Sequence, residues 1–220
     1  GSGTFGDLQA VVPGSAVRVW VHDFNADGFA DVFVESSDVV PEPSRVLWGA
    51  ATSPLRTRTN FSLPVGPSPG FGDIDGDGDI DIVVGRGGGL GGVTSVHRLD
   101  STVSPGTFSS TSVGPSDATY QVRLFDIDGD GDLDIFQGNY GLERILLNDG
   151  TGTFALSSTT TGLATTHVRG MGVGDINGDG FADVVMSHAV ELGLGTDTDQ
   201  ILLGNGTGGF TAAAGLNSVG

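Results

Sequence analysis

The 220-residue chain contains no cysteine and no lysine, and these two absences exclude several kinds of site. Without cysteine there is neither a disulfide nor a zinc–thiolate centre, so loops must be fastened in another way. All nine basic residues are arginine, and they face 27 acidic residues, which gives a formal net charge of −18. Because such a chain has no basic patch to neutralise phosphates, we do not expect nucleic acid as a partner.

Long hydrophobic runs are missing as well. No apolar stretch approaches the 18 residues of a membrane-spanning helix, so no membrane insertion is expected. The first residues show no signal-peptide pattern and read as a strand, which leads us to expect a mature form or an excised domain. The 39 glycines and 9 prolines, spread among recurring apolar segments, favour a single turn-rich all-β domain.

What the chain has in abundance is an acidic loop of nine residues, which occurs four times, at 23–31, 73–81, 126–134 and 175–183. Each copy has Asp or Asn at loop positions 1, 3, 5 and 9 and glycine at position 6. Oxygen side chains at this spacing, with a glycine where the backbone turns sharply, suit Ca²⁺, a hard cation that takes six to eight oxygens. Sixteen of the 27 acidic residues lie in these loops. We therefore expect four Ca²⁺ per chain.

The predicted ligands are the side chains at positions 1, 3, 5 and 9 and the backbone carbonyl at position 7. In chain order these residues are Asp23, Asn25, Asp27, Phe29 and Asp31; Asp73, Asp75, Asp77, Asp79 and Asp81; Asp126, Asp128, Asp130, Asp132 and Asp134; and Asp175, Asn177, Asp179, Phe181 and Asp183.

Two other calcium scaffolds fail on the sequence. An EF-hand loop ends with a bidentate Glu at position 12, whereas this chain has Val34, Val84, Gln137 and Met186 there. Nonapeptide β-helix repeats would recur every nine residues. The four loops instead begin 50, 53 and 49 residues apart, a period that indicates one supersecondary unit per repeat.

Strand signals surround every loop. Each loop runs directly into an apolar, β-branched segment such as Ile82–Val84, and a strand signal such as Val17–Val21 precedes it. A second hairpin follows in each repeat, such as Arg45–Trp48 and then Phe61–Leu63 in the first, and four short strands make a propeller blade. The predicted blades are 16–66, 67–116, 117–165 and 166–220, with residues 1–15 as a strand and linker from a preceding or closing blade.

Three phrases carry a resemblance to a known family: GDIDGDGDIDIVVG at 72–85, GDINGDG at 174–180 and LNDGTGTF at 147–154. The chain resembles the FG-GAP or VCBS repeats, which are similar to those of the integrin α-subunit head propeller and of many bacterial secreted proteins. The resemblance implies a β-propeller with Ca²⁺ in the loop joining the first two strands of each blade, opposite the ligand-binding face. Ala26 departs from the pattern, because the other three loops have glycine at position 4.

Ring closure stays open at this stage. Family propellers usually have seven blades, whereas this chain has four units. A compact four-bladed ring, a homodimer that completes a larger ring, and a section of a longer array all fit.

The ligand face is inferred from the same resemblance. In related propellers it includes the loops between the second and third strands, here 36–43, 85–92, 138–142 and 188–198. Arg86 and Tyr140 are the best contact candidates, because aromatic and Arg side chains dominate interface energetics. Trp20 and Trp48 lie in strand segments and are expected to pack within blades. The four histidines do not recur at one repeat position, so we expect surface or strand-end residues.

The favoured function is a calcium-stabilised binding or adhesion module, lectin-like and without catalytic activity, that recognises a glycan or a protein. Weak oxygen cages of the extracellular class bind Ca²⁺ with dissociation constants of about 10⁻⁴ to 10⁻³ M, so we expect an exported, extracellular or cell-surface bacterial protein. The alternative is a propeller domain of, or attached to, a secreted lyase or hydrolase. Arg18, Arg123 and Arg169 are the nearest approach to a reactive cluster, and no catalytic residue is assigned.

Overall fold

The computed structural model describes residues 16–36, 44–50, 57–61, 68–86, 92–103, 106–157, 167–189 and 199–213. Within these ranges the chain is all-β. Its sixteen strands form four antiparallel sheets of four strands, and each sheet uses four consecutive strands in spatial order. The described residues include no helix with the length and apolar content needed to span a membrane.

The sheets are numbered in chain order. Sheet 1 contains β1 (Ala16–His22), β2 (Asp31–Ser36), β3 (Ser44–Trp48) and β4 (Thr57–Phe61). Sheet 2 contains β5 (Gly70–Gly72), β6 (Asp81–Val84), β7 (Gly92–Leu99) and β8 (Phe108–Asp117). Sheet 3 contains β9 (Thr119–Phe125), β10 (Asp134–Asn139), β11 (Arg144–Asn148) and β12 (Phe154–Leu156). Sheet 4 contains β13 (His167–Gly174), β14 (Asp183–Ala189), β15 (Gln200–Gly204) and β16 (Phe210–Ala212).

Every acidic loop joins the first two strands of its sheet, as the sequence predicts. One predicted strand is displaced. The apolar signal at 61–63 places the fourth strand of sheet 1 too late, because β4 begins at Thr57 and pairs Thr57 with Trp48. A side-chain hydrogen bond also joins the two strands: the Trp48 indole Nε1 donates to Thr59 Oγ1 at 3.0 Å.

Side chains alternate between two faces of each sheet, and consecutive sheets stack face to face. We call the face toward the following sheet the forward face and the other the backward face. The residue two positions after the final Asp of a loop lies on the forward face. In the first three sheets this residue is Phe33, Val83 and Phe136, which are fully buried and pack toward sheets 2, 3 and 4, respectively. Their neighbours Ile82 and Ile135 pack on the backward face, against the preceding sheet.

Three hydrophobic clusters result, one in each junction between consecutive sheets. The junction of sheets 1 and 2 is aromatic: Phe71 lies 5.5 to 5.8 Å, between ring centroids, from Trp20, Phe24 and Phe33. Trp48 is buried in the same cluster, so both tryptophans pack within the sheets as predicted. The other two junctions are mainly aliphatic. The chain is therefore held together by a series of nearest-neighbour contacts.

The predicted strand and linker at residues 1–15 and the predicted ligand-face residues 37–43, 87–91 and 190–198 lie outside the described part of the chain.

Candidate metal loops and the opposite loop face

The first Asp of each loop shapes the turn. Asp23, Asp73, Asp126 and Asp175 accept hydrogen bonds from the amide of loop position 4 or 5 with one oxygen and from the amide of position 6 with the other, at 2.7 to 3.1 Å. The Asp at position 5 accepts from the amide of position 7, at 2.8 to 2.9 Å. The backbone amides thus turn toward the carboxylates and fix the loop.

Positions 4 and 6 both have left-handed backbone. At position 6, glycine adopts φ between 87° and 96° in all four loops. At position 4, three loops have glycine and the first has Ala26, with φ at 51°. A left-handed conformation is costly for alanine because its Cβ approaches the following carbonyl oxygen. The departure noted in the sequence is therefore a point of backbone strain.

The final Asp of each loop is fully buried and fastens the loop to the sheet. Asp31, Asp81, Asp134 and Asp183 each accept two backbone amide hydrogen bonds, at 2.6 to 3.1 Å. One amide belongs to loop position 2. The other lies at or just after the end of the third strand, as Leu99 does for Asp81 and Asn148 does for Asp134. This single carboxylate therefore connects the loop with the second and third strands.

Concentrated negative charge disturbs these carboxyl groups. Burial raises the pKa of Asp81 to about 7 and that of Asp134 to about 6, although the amide hydrogen bonds act in the opposite direction. Burial, together with the neighbouring loop carboxylates, raises the pKa of Asp77 and Asp128 as well. The second and third loops thus bring together carboxylates that are costly to ionise without a compensating cation.

Position 3 supplies the test of whether a metal fits. The Asn25 Oδ1, Asp75 Oδ1 and Asp128 Oδ1 atoms are buried and have no hydrogen-bond partner among the residues that the structure describes. A buried oxygen without a partner is unfavourable, and here it lies among other oxygens. Ligand atoms of Asp73, Asp75 and Asp81 lie within 4.8 Å of one another, and so do those of Asp126, Asp128 and Asp134. These aspartate clusters can hold a metal ion, and an all-oxygen donor set suits Ca²⁺.

A further acidic group joins the second loop. Asp100 approaches Asp77 and Asp79, with ligand atoms within 4.8 Å of one another. The adjacent Ser101 donates to Asp79 from its amide at 2.6 Å and from its hydroxyl at 2.9 Å. Sequence reasoning missed Asp100, because it lies outside the nine-residue pattern and is brought to the loop only by the end of β7. The predicted role of the position-7 carbonyls stays a prediction.

The opposite ends of the strands hold the two ligand-face candidates. Tyr140 follows β10 and its side chain is 48% exposed. Its amide donates to the Ala118 carbonyl at 2.8 Å, while the Thr119 amide donates to the Arg86 carbonyl at 3.1 Å. The backbone of Tyr140 is thus held by Ala118, which directly precedes β9, and the backbone of Arg86 is held by Thr119, the first residue of β9.

These loops and sheets match a known family. The FG-GAP-like repeat matches residues 23–84, 73–137 and 126–186, so that together the matches cover well over half of the chain. The chain belongs to the FG-GAP-like repeat family. Each match begins at the first Asp of one loop and ends in the strand that follows the next loop.

A solved structure shares the fold of this FG-GAP-like chain. Its title describes specific recognition of non-reducing terminal N-acetylglucosamine by an Agrocybe aegerita lectin. The two chains are 20% identical with a TM-score of 0.57, and the similarity covers 92% of this chain and 53% of the lectin chain. The chain thus spans about half the length of that lectin. Comparison with curated proteins gives no match.

The three arginines of the alternative function do not behave alike. The Arg123 guanidinium donates to the Met171 carbonyl from Nε at 3.1 Å and from Nη2 at 2.9 Å, and so ties sheet 3 to sheet 4. Arg18 lies 3.7 Å from Glu35 on the adjacent strand. The Arg169 carbonyl accepts from the Gln121 side chain at 3.2 Å. The side chains of Arg18 and Arg123 thus have contacts within the fold.

The prediction of surface or strand-end histidines was wrong for His97, which is buried within β7. Its Nδ1 lies 2.7 Å from Ser110 Oγ, and burial lowers its pKa. His188 is near the end of β14 but is also buried, with Nε2 3.8 Å from Oε1 of the buried Glu143. Partners that are distant in sequence explain both positions: Ser110 lies across the β7–β8 pair from His97, and Glu143 precedes β11 in the neighbouring sheet.

Ala26 offers a test of backbone strain in the FG-GAP-like loops. We expect Ala26→Gly to raise the free energy of unfolding by up to about 1 kcal/mol, because glycine avoids the left-handed penalty of about 1 to 2 kcal/mol but loses more chain entropy. Gly76→Ala, at the same position of the second loop, is the matched reverse. A Cβ there would meet no atom of the described residues within 4 Å, so the expected cost is backbone strain. Urea unfolding measures both, and equal stability of all three proteins would contradict the strain.

Calcium-free protein should lose stability as pH rises. The folded-state pKa of Asp81 and Asp134, about 7 and about 6, lies above the ordinary value near 3.9 of the unfolded chain. Their contribution is therefore fully present below about pH 4 and is lost as pH rises through those folded values. With calcium the trend should reverse, because the metal binds the ionised form.

The measurement is urea unfolding at pH 5 and pH 8, in EDTA and in calcium. A parallel series at about 1 M salt, where the Debye length is about 3 Å, removes long-range surface repulsion. Equal or greater stability at pH 8 in EDTA would show that the carboxyl groups do not titrate in this way.

Proposed function

We propose that this chain is a calcium-stabilised β-propeller module, without catalytic activity, that binds a glycan or protein ligand outside the cell. The observation that carries the metal part is the buried oxygen at loop position 3, which in three loops lacks a hydrogen-bond partner within the described part of the chain. It lies where the surrounding carboxylates would place a cation. Bound Ca²⁺ supplies the positive charge that these oxygens lack.

The four side-chain positions of each loop have different roles in holding the metal. The Asp at position 1 and the buried Asp at position 9 are already oriented by backbone amides, so ordering them on binding costs little entropy. The oxygens at positions 3 and 5 complete the side-chain set. Because the Asp at position 9 also connects the second and third strands, metal binding stabilises the sheet as well as the loop.

Ligand binding is assigned to the opposite face. Tyr140 is exposed at the end of β10, and the sheet holds its backbone in place. An exposed aromatic ring with a rigid backbone gives a large contact area at low entropic cost. The lectin with the same fold supports a glycan as the first ligand to test. The separation of functions is geometric, since six residue steps of about 3.3 Å place Tyr140 about 20 Å from Asp134.

Two further parts of the proposal have their own support. Extracellular placement follows from the affinity class of such loops, with dissociation constants of about 10⁻⁴ to 10⁻³ M. The absence of catalysis is favoured by Arg123, which donates to backbone carbonyls of its own fold.

The metal assignment predicts four Ca²⁺ per chain. Each site should stabilise the fold by RT ln(1 + [Ca²⁺]/Kd), which is about 0.4 to 1.4 kcal/mol at about 1 mM calcium. EDTA should therefore lower the free energy of unfolding by about 2 to 6 kcal/mol in total. Calorimetric titration and elemental analysis measure the count. Fewer than three Ca²⁺ per chain, or a melting temperature that EDTA leaves unchanged, would sink the assignment.

The division of the two faces predicts opposite effects of two substitutions. Asp128→Ala removes one ligand of the third loop, so it should lower thermal stability and leave ligand affinity unchanged at a temperature where the protein is folded. Tyr140→Ala should leave stability nearly unchanged and weaken binding about tenfold or more. At physiological salt a distance of about 20 Å exceeds the Debye length of about 8 Å, so charge at the loop should not reach the ligand.

The chain supplies a matched control for the metal ligand. Loops 1 and 4 have Asn at position 3, so Asp128→Asn should retain most of the stability that Asp128→Ala loses. Binding is read on a glycan array that includes terminal N-acetylglucosamine, with and without calcium. Loss of binding in folded Asp128→Ala would favour a functional metal, and an array without any binder would leave a protein ligand as the surviving half of the proposal.

A further inference from the structure

One residue, Asn148, contacts both the second and the third acidic loop. It is the last residue of β11 and it is buried. Its side-chain Nδ2 donates to the carbonyl of Ile74, at position 2 of the second loop, at 2.7 Å. Its backbone amide donates to the carboxylate of Asp134, the final Asp of the third loop, at 2.8 Å. Asn148 therefore joins a loop of sheet 2 to a loop of sheet 3.

Ile74 extends this connection to a predicted metal ligand of the second loop. Its amide donates to Asp81 Oδ2 at 3.1 Å, while its carbonyl accepts from Asn148. Hydrogen bonds thus run without a break from the carboxylate of Asp81, through Ile74 and Asn148, to the carboxylate of Asp134. Both carboxylates are fully buried, and each is the final Asp of its loop. The two candidate metal sites are therefore in direct contact through the backbone and one side chain.

The side-chain amide of Asn148 is held in a single orientation. Its Oδ1 accepts from the Gly152 amide at 3.1 Å, and its Nδ2 donates to the Leu133 carbonyl at 3.1 Å as well as to Ile74. Exchanging the oxygen and the nitrogen would place an acceptor against two carbonyls and a donor against an amide. A buried polar group whose partners are all in place is rigid. It therefore transmits a displacement from one loop to the other.

The other sheets have only a backbone donor at this position. Gly49, Leu99 and Gly204 donate their amides to the final Asp of their own loops, as Asn148 does, but their side chains have no donor. The position-2 carbonyls of the first and third loops accept from backbone amides of the next sheet, at 2.7 and 3.4 Å. Within the described residues, a side chain that connects two loops is thus particular to the second and third.

We propose that Asn148 is a positioning residue that couples the calcium sites of the second and third loops, so that binding at one raises the affinity of the other. This coupling rests on the proposed function, since it requires calcium at both loops. Ordering a loop costs entropy, and a loop that its neighbour has already ordered loses less when it binds. Coupling of binding free energies is reciprocal, so each loop should change the affinity of the other by the same factor.

The test is a calcium titration of the full chain that follows the two loops separately by amide NMR. The amides of Gly78 and Gly131 donate to the first Asp of the second and third loops, at 3.0 and 3.1 Å, so their resonances report the two sites. Asp128→Ala weakens the third loop and should move the Gly78 midpoint to about fivefold higher calcium or more. Asp75→Ala, at the same position of the second loop, should move the Gly131 midpoint by a similar factor.

Replacement of Asn148 should remove the coupling and keep both sites. Asn148→Gly and Asn148→Leu retain the backbone amide that Asp134 accepts, and the chain itself has glycine or leucine at the equivalent place of the other sheets. In both variants the shift of the Gly78 midpoint that Asp128→Ala causes should fall below about twofold. The second variant keeps the test valid if the first does not fold.

Asp149→Ala is the matched control, because Asp149 lies in the same turn but makes none of the hydrogen bonds of Asn148. Its carboxylate accepts from the amide and the hydroxyl of Thr151, at 3.0 and 2.6 Å. The substitution should lower the free energy of unfolding and retain the coupling. Loss of coupling in Asp149→Ala to the same extent as in Asn148→Gly would show that general loosening of the turn, and not the Asn148 side chain, is responsible.

The titration separates failure of the coupling from failure of the proposed function. Loops that bind calcium with independent midpoints would overturn the coupling alone. So would weaker binding at one loop when the other is filled, because repulsion between the two ions would then dominate. Coupling that survives in both Asn148 variants would overturn the role of this side chain. No change at Gly78 and Gly131 on addition of calcium would overturn the metal part of the proposed function, and the coupling with it.

Discussion

The buried aspartate at the end of each acidic loop is the constraint on which the sheets depend. Its carboxylate accepts one hydrogen bond from the amide of loop position 2 and another from an amide at or just after the end of the third strand. All four copies make this pair of hydrogen bonds. Buried charge is costly, and the raised pKa of Asp81 records that cost. The loop therefore needs a counter-charge, and the other carboxylates need it too. One metal ion would answer both demands.

Much of this arrangement was readable from the sequence because the repeat states it four times. The period near 50 residues and the apolar segments after each loop predicted four units of four strands, and the described residues form four sheets of four strands. The additional strand predicted within residues 1–15 lies outside the described residues. The EF-hand was excluded on position 12 alone. Local oxygen spacing predicted which loop residues converge, and Asp73, Asp75 and Asp81 do so.

Contacts between distant segments were not readable. Asp100 reaches the second loop because β7 ends beside it, and the buried His97 contacts Ser110, its cross-strand partner on β8. β4 was placed too late because the strand begins with the polar segment 57–60, which carries no apolar signal, and only its last residue, Phe61, belongs to the predicted strand. Periodicity indicates strands, but the partner across a hairpin depends on register and on loop length. Single-position motifs cannot supply either.

The junctions between sheets also differ from one another, and this gives the repeats a fixed order. At equivalent forward-face positions the four sheets have Trp20, Gly70, Arg123 and Gly172, by register with Phe33, Val83, Phe136 and Val185. The side chain on the facing sheet differs accordingly: Phe71 packs against Trp20, and Leu124 packs against Gly70. A side chain shorter than Leu124 would leave a gap beside Gly70, and a bulky aromatic ring would not fit there. Nearly identical acidic loops thus coexist with junctions that are individually matched, because the loops present one common set of oxygen ligands whereas each junction must fit one particular neighbour.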